Sequence, residues 1–194
     1  MEDGAIVLKH VTDGQMIDND YLWTKEKYGD FVLEVDAKSV QGTNSGIFIR
    51  TADIYRPVAT GIECQITVTT QGPRAFGNPD TLAPAGTGTI THNRGRVGGF
   101  YDLVEPKPIE IKPDEWHHFV ITARGPMLSQ EIDGIKTAEI NLDQYTKTGK
   151  NPDGSENKFS IPLKYWPRAG YIGFQNHGTP VWFRNIRIKP LSKE

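Results

Sequence analysis

The chain has 194 residues, with 22 basic against 24 acidic side chains and a net charge of −2, enough for one well-cored domain and short for two. That balance, without a basic stripe or an acidic tail, excludes electrostatic attraction to nucleic acid or an anionic membrane. The single Cys64 excludes an internal disulfide and a multi-cysteine zinc site, and no apolar run approaches the ~20 residues of a membrane span.

In chain order, "YLWTK" (21–25) reads as extended, with Trp23 on the face of Tyr21 and Lys25. "DFVLEVDAKSV" (30–40) alternates, placing Phe31, Leu33, Val35 and Ala37 on one face. "SGIFIRTA" (45–52) continues the pattern and puts Arg50 on the face of Phe48, Gly46 and Asn44. In "GIECQITV" (61–68), Ile62, Cys64, Ile66 and Val68 form an apolar face, with Glu63 and Gln65 opposite; Cys64 reads as small buried packing. "HHFVITARG" (117–125) and "MLSQEIDGIKTAEI" (127–140) follow, the latter with the hairpin signal Asp133-Gly134. "AGYIGFQNHG" (169–178) and "PVWFRNIRIKP" (180–190) close the series, with Gln175 and His177 on the face of Tyr171 and Gly173.

At least seven strands without helical periodicity predict one all-β domain over residues 1–194, an antiparallel β-sandwich. Two segments interrupt the strands. Residues 71–99 are dense in Gly, Pro and Thr, and residues 143–168 are polar and contain "KNPDGSEN". Loops of that length in a compact domain are usually functional, or else disordered.

Several motifs are decoys. "GTGTITHNRG" lacks the Gly-Lys-Ser/Thr ending and the following helix of a phosphate loop. "NPDGSEN" lacks the spacing of a calcium loop. His117 and His118 are strand neighbours on opposite faces, which opposes joint metal ligation. Glu34-x-Asp36 and Glu131-x-Asp133 each match the first two carboxylates of a glucanase-type Glu-x-Asp-x-Glu strand, but neither supplies the third.

What remains is a polar set on strand faces: Arg50, Glu63, Gln65, Gln175, His177 and Trp23, with Gly46, Gly61 and Gly173 beside them. If these faces form one sheet surface, the inventory suits a sugar. Aromatic rings cover C–H patches, planar amides, carboxylates and guanidinium bind hydroxyls, and glycines leave room for a ligand.

"LWTKEKYGDFVLEVDAK", "NSGIFIR", "YDLVEP", "EWHHFVITARG" and "GFQNHGTPVWFRNIRI" occur in that order over roughly residues 20–190 and together resemble the 3-keto-disaccharide hydrolase family, long catalogued as a domain of unknown function. The resemblance implies a concanavalin A-like lectin/glucanase sandwich (a jelly roll), a secreted or periplasmic setting, and pairing with an oxidoreductase that oxidises a sugar at C3. Asn44, Ser45, Gly46 and Arg50 match the family's Asn-Ser-Gly segment and its Arg. Glu63 and Gln65 match its Glu-x-Gln strand, and Tyr101 and Asp102 match the Tyr-Asp after the long loop. Gln175, His177 and Gly178 match the Gln-x-His-Gly end, and Arg184-Asn185 the closing strand. Two departures stand out: Val68-Thr69-Thr70 replaces the acidic or Asn residues that often follow Glu-x-Gln, and the opening Gly-Trp segment is absent, as expected of a trimmed start.

The implied substrate dictates a chemistry. A ketone at C3 acidifies the C2 proton, so a base can remove it, the C1 substituent can leave by elimination, and water can add to the enone. The expected base is Glu63 or His177, and Arg50 with Gln65 would hold the enolate oxygen. Asp102 would act as acid or bind hydroxyls, Trp23 would stack on the sugar, and Gln175, Asn44, Tyr101 and Arg184 would line the site. No cofactor is required, although a divalent metal polarising the enolate is compatible with the route. The rival reading is a lectin-like module that binds carbohydrate without chemistry.

Overall fold

The computed structural model describes residues 1–9, 20–68 and 94–192. Most of the Gly/Pro/Thr-rich segment, together with Thr69 and Thr70, lies outside the described residues. Among the described residues ten strands form two antiparallel sheets. The six-stranded sheet runs β1 (Ile6–Leu8), β10 (Val181–Pro190), β3 (Phe31–Ser39), β6 (Trp116–Arg124), β7 (Met127–Ile132) and β8 (Ile135–Asn141). The four-stranded sheet runs β2 (Asp20–Trp23), β9 (Tyr171–Asn176), β4 (Asn44–Thr51) and β5 (Ile62–Thr67). The expected antiparallel sandwich is the fold observed.

Alternation sorts the core. Phe31, Leu33, Val35 and Ala37 of β3 are buried against Ile47 and Ile49 of β4, Ile62, Cys64 and Ile66 of β5, and Ile172 and Phe174 of β9. Phe174 meets Phe183 of β10 across the gap with ring centroids 4.8 Å apart. Burying each such large side chain contributes about 1.5–3 kcal/mol. The β7–β8 turn has Asp133 and Gly134 both at positive φ, 50° and 78°, the geometry of a tight hairpin that this dipeptide favours. Asp133 also accepts the His118 backbone N–H at 2.8 Å and faces His117 Nδ1 at 2.7 Å, while His118 turns to Asp36. The two histidines do point to opposite faces.

Residues 143–168 are more than a polar loop. Tyr145, Phe159, Leu163 and Trp166 are buried in the main core. Asn151 acts as an internal node, its amide donating to the Asp102 and Glu156 carbonyls at 3.1 Å. Irregular spacing of the apolar anchors hides this packing from any periodicity. A second segment docks on β5: Gln65 N–H donates to Gly99 O at 3.0 Å, Gly98 N–H to Gln65 O at 3.2 Å, and Tyr101 N–H to Glu63 O at 2.9 Å.

Candidate active site

The outer face of the four-stranded sheet collects the chemistry. Register places Trp23 opposite Gly173, Gly173 opposite Phe48, and Phe48 opposite Glu63, a single row across all four strands. In the adjacent row Tyr21 faces Gln175 and Gly46 faces Gln65. The two glycines are required by contact. A Cβ on Gly173 would lie 2.3 Å from the Trp23 indole, and one on Gly46 would lie 2.8 Å from Glu63 Cγ and Oε1. The indole therefore lies flat over Gly173, and the Glu63 side chain lies over Gly46. Tyr21 stacks on Trp23 at 5.1 Å and meets Phe48 edge-on at 5.2 Å.

Hydrogen bonds fix the amides. Gln175 Nε2 donates to the Tyr21 hydroxyl at 2.9 Å, and Gln65 Nε2 donates to Asn44 Oδ1 at 3.0 Å. With the nitrogens so engaged, Gln65 Oε1 and Gln175 Oε1 are buried and without a hydrogen-bond partner among the described residues. Both amides offer an acceptor to a hydroxyl donor.

Glu63 is 7 % exposed. Burial pushes its carboxyl up from 4.5 to about 7, and the positive charge of Lys158 offsets only part of that. Lys158 Nζ lies 3.9 Å from Glu63 Oε2, with the rings of Tyr101, Phe159 and Phe48 at 5.1, 5.5 and 5.8 Å. Its amine has no hydrogen-bond partner among the described residues, and burial lowers its pKa. Lys158 is the candidate site residue that sequence reasoning missed. The only signal for it was the length of the segment that carries it.

Asp102 is drawn to the same lysine through the main chain. Its Oδ2 accepts the Lys158 backbone N–H at 2.5 Å, and its own φ is 66°. Tyr101 lies under the lysine amine, and Asn44 orients Gln65.

Two expected positions, Arg50 and Arg184, are corrected, and a third, His177, stands apart from the cluster. Arg50 does not share the outer face. A register shift between Phe48 and Thr51 and a φ of 50° break the alternation there, so its fully buried guanidinium pairs with Asp30 at 3.3 Å, at the foot of β3. Arg184 belongs to β10 of the other sheet, where it lies 3.9 Å from the Trp116 ring centroid and 3.4 Å from Asp36. His177 is exposed one residue past β9 and takes no part in the contacts that join Tyr21, Glu63, Gln65 and Gln175. The set that does assemble is Trp23, Asn44, Glu63, Gln65, Tyr101, Asp102 and Gln175, with Lys158 added.

A separate cleft of about 590 Å³ is lined by Arg94, Glu139, Gln144, Tyr145 and Asp153 among others, and none of the Glu63 group borders it. Among the described residues no three His, Cys, Asp or Glu side chains are grouped to hold a metal ion, and no helix is long and apolar enough to cross a membrane.

The chain as a whole is similar to known proteins. A curated relative from Bacteroides thetaiotaomicron, a 3-keto-disaccharide hydrolase, is 26% identical over 98% of this chain and 69% of its own length. A solved glycosyl hydrolase candidate from Parabacteroides distasonis is 29% identical, covers 97% of this chain and 88% of its own, and superposes with a TM-score of 0.76. A second from the same organism, 21% identical over 98% and 82% of the two chains, also gives 0.76 and so shares the fold. Residues 1–189 match the 3-keto-alpha-glucoside-1,2-lyase-like domain, and the chain belongs to that family.

Proposed function

We propose that the protein cleaves glycosides already oxidised at C3, by proton abstraction from C2, elimination of the C1 substituent and addition of water. The observation that carries this reading is Glu63, a buried carboxylate with a pKa raised to about 7 on a sheet face of amides and aromatics. A general base works best when its pKa lies near the operating pH. Membership of the family and the name of the Bacteroides relative support the substrate class.

In this reading Glu63 removes the C2 proton. Gln65 and Gln175 accept from sugar hydroxyls through their unpaired oxygens, and Trp23 covers an apolar face of the ring. The keto end faces Lys158, which takes the place expected of Arg50. Asp102 holds the Lys158 backbone rather than the leaving group. These steps use the side chains alone and require no cofactor. The substrate implies a partner reaction, oxidation of a sugar at C3 by an oxidoreductase.

A binding module would use the same amides and aromatics, but it would leave a buried carboxylate and amine without a task. The test is turnover of a 3-keto-glycoside against its unoxidised parent. Release of the C1 substituent from the keto form alone is expected. Equal turnover of both, or of neither, overturns the proposal, and saturable binding of the parent without turnover of either would favour the module.

A further inference from the structure

We propose that Lys158 acts covalently, condensing with the C3 ketone of the substrate to form an iminium that serves as the electron sink for the elimination. The inference rests on the reading above and adds a nucleophile to it.

Geometry argues for the amine over a fixed charge. Lys158 Nζ is buried and has no hydrogen-bond partner among the described residues. Its carboxylate neighbour is at 3.9 Å, beyond hydrogen-bonding distance, so no bond holds an ammonium proton in place. Desolvation favours the neutral, nucleophilic amine that Schiff-base chemistry needs, against the pull of the Glu63 and Asp102 carboxylates toward the ammonium. The downward shift of its pKa agrees with this. Position also fits. In an iminium the C2 proton is three bonds from the nitrogen, so a carboxylate 3.9 Å from Nζ is well placed to take it. The Asp102 carboxylate, accepting the Lys158 N–H, fixes where the side chain starts.

The steps balance. The neutral amine adds to C3, and the carbinolamine loses water to give the protonated imine. Glu63 takes the C2 proton, and the electron pair moves through C2–C3 to nitrogen, forming an enamine. The enamine pushes back, a C1–C2 double bond forms, and the C1–O bond breaks, the leaving oxygen taking a proton from solvent that the water adding at C1 later gives back. Water adds at C1 while the protonated Glu63 returns the proton to C2. A second water hydrolyses the imine, restoring the ketone and the free lysine. The water lost on condensation is regained, so the sum is one glycoside and one water giving the 3-keto sugar and the alcohol.

Trapping tests the inference on the wild-type protein. The protein is incubated at neutral pH with a 3-keto-glycoside and sodium cyanoborohydride, which reduces iminium ions in preference to ketones, and then analysed by intact mass and peptide mapping. The expected result is one reduced sugar adduct on Lys158 with parallel loss of activity, and none with the unoxidised parent. Lys158→Arg, which keeps the charge and cannot form the imine, should lose at least 100-fold in kcat/KM while melting near the wild type. Undiminished turnover without an adduct, an adduct on another lysine, or more than a tenth of the activity in a folded Lys158→Arg overturns the covalent step and leaves the elimination reading standing. Absence of any turnover of the keto-glycoside by the wild type overturns both.

Discussion

Lys158 Nζ and Glu63 Oε2 face each other at 3.9 Å over the outer face of β5, with side-chain exposures of 16% and 9%. Burial moves the two groups toward each other in pKa, the carboxyl up and the amine down. A buried pair without a direct hydrogen bond is poor structural cement, because the cost of desolvating two charges exceeds what their attraction returns. Such an arrangement is suited instead to moving a proton.

Replacing Glu63 with Gln keeps the shape over Gly46 and removes the base. kcat on a 3-keto-glycoside should fall by about 10²–10⁴-fold, the usual contribution of a general base, with KM changed only a few-fold. Steady-state kinetics check this. A loss under tenfold would remove Glu63 from the base role.

The pH dependence follows from the same group. kcat/KM should rise with pH and level off above about 7, where Glu63 is ionised, and Glu63→Gln should lose that limb. Stability should run the other way. The folded protein keeps a proton on Glu63 that the unfolded chain has released between 4.5 and about 7. Folding is therefore weakened as pH rises across that window, by about 3 kcal/mol at about 1.4 kcal/mol per unit. Urea melts at pH 4.5 and pH 7.5 should show a flatter pH dependence in Glu63→Gln than in the wild type.

Asp102 separates holding from proton donation. Asn can still accept the Lys158 N–H and tolerates the φ of 66°, whereas Ala cannot accept. Asp102→Asn should keep most of the activity and Asp102→Ala should lose much of it. If Asn is as damaging as Ala and both approach Glu63→Gln, Asp102 is the acid after all.

Gly173→Ala drives a methyl to 2.3 Å from the Trp23 indole. The ring must leave the sheet, at a cost on the order of 1–3 kcal/mol for overpacking. KM should rise more than kcat falls, and tryptophan emission should shift red as the indole is exposed. Unchanged emission and KM would place the sugar elsewhere.

Arg50→Met tests the corrected role of that residue. Breaking a buried pair costs about 3–5 kcal/mol, and the partial exposure of Asp30 places this one at the lower end. The melting temperature should drop, while kcat measured well below it stays within a few-fold of wild type. A selective loss of kcat would return Arg50 to the chemistry.

Much of this was legible in the sequence. Alternation alone placed Phe31 through Ala37 and Ile62 through Val68 in the core and put Glu63 with Gln65 on the opposite face. Arg50 was misplaced because its positive φ and the register shift at that point interrupt the period of two, and neither leaves a mark on an arginine. Arg184 was misassigned because alternation gives the face of a strand and not its sheet. Lys158 escaped because it is one charged residue in a run of them, and only the tertiary fold distinguishes it from Lys150, which pairs at the surface with Glu156.

The docking of residues 98–101 on β5 has a further consequence. An unpaired strand edge is a template for a second chain, and β5 would otherwise present one directly beside Glu63. Closing it with the segment that bears Tyr101 and Asp102 blocks intermolecular pairing. It also couples that segment mechanically to the strand of the base, so any shift of β5 carries Asp102, and through it Lys158, along with Glu63.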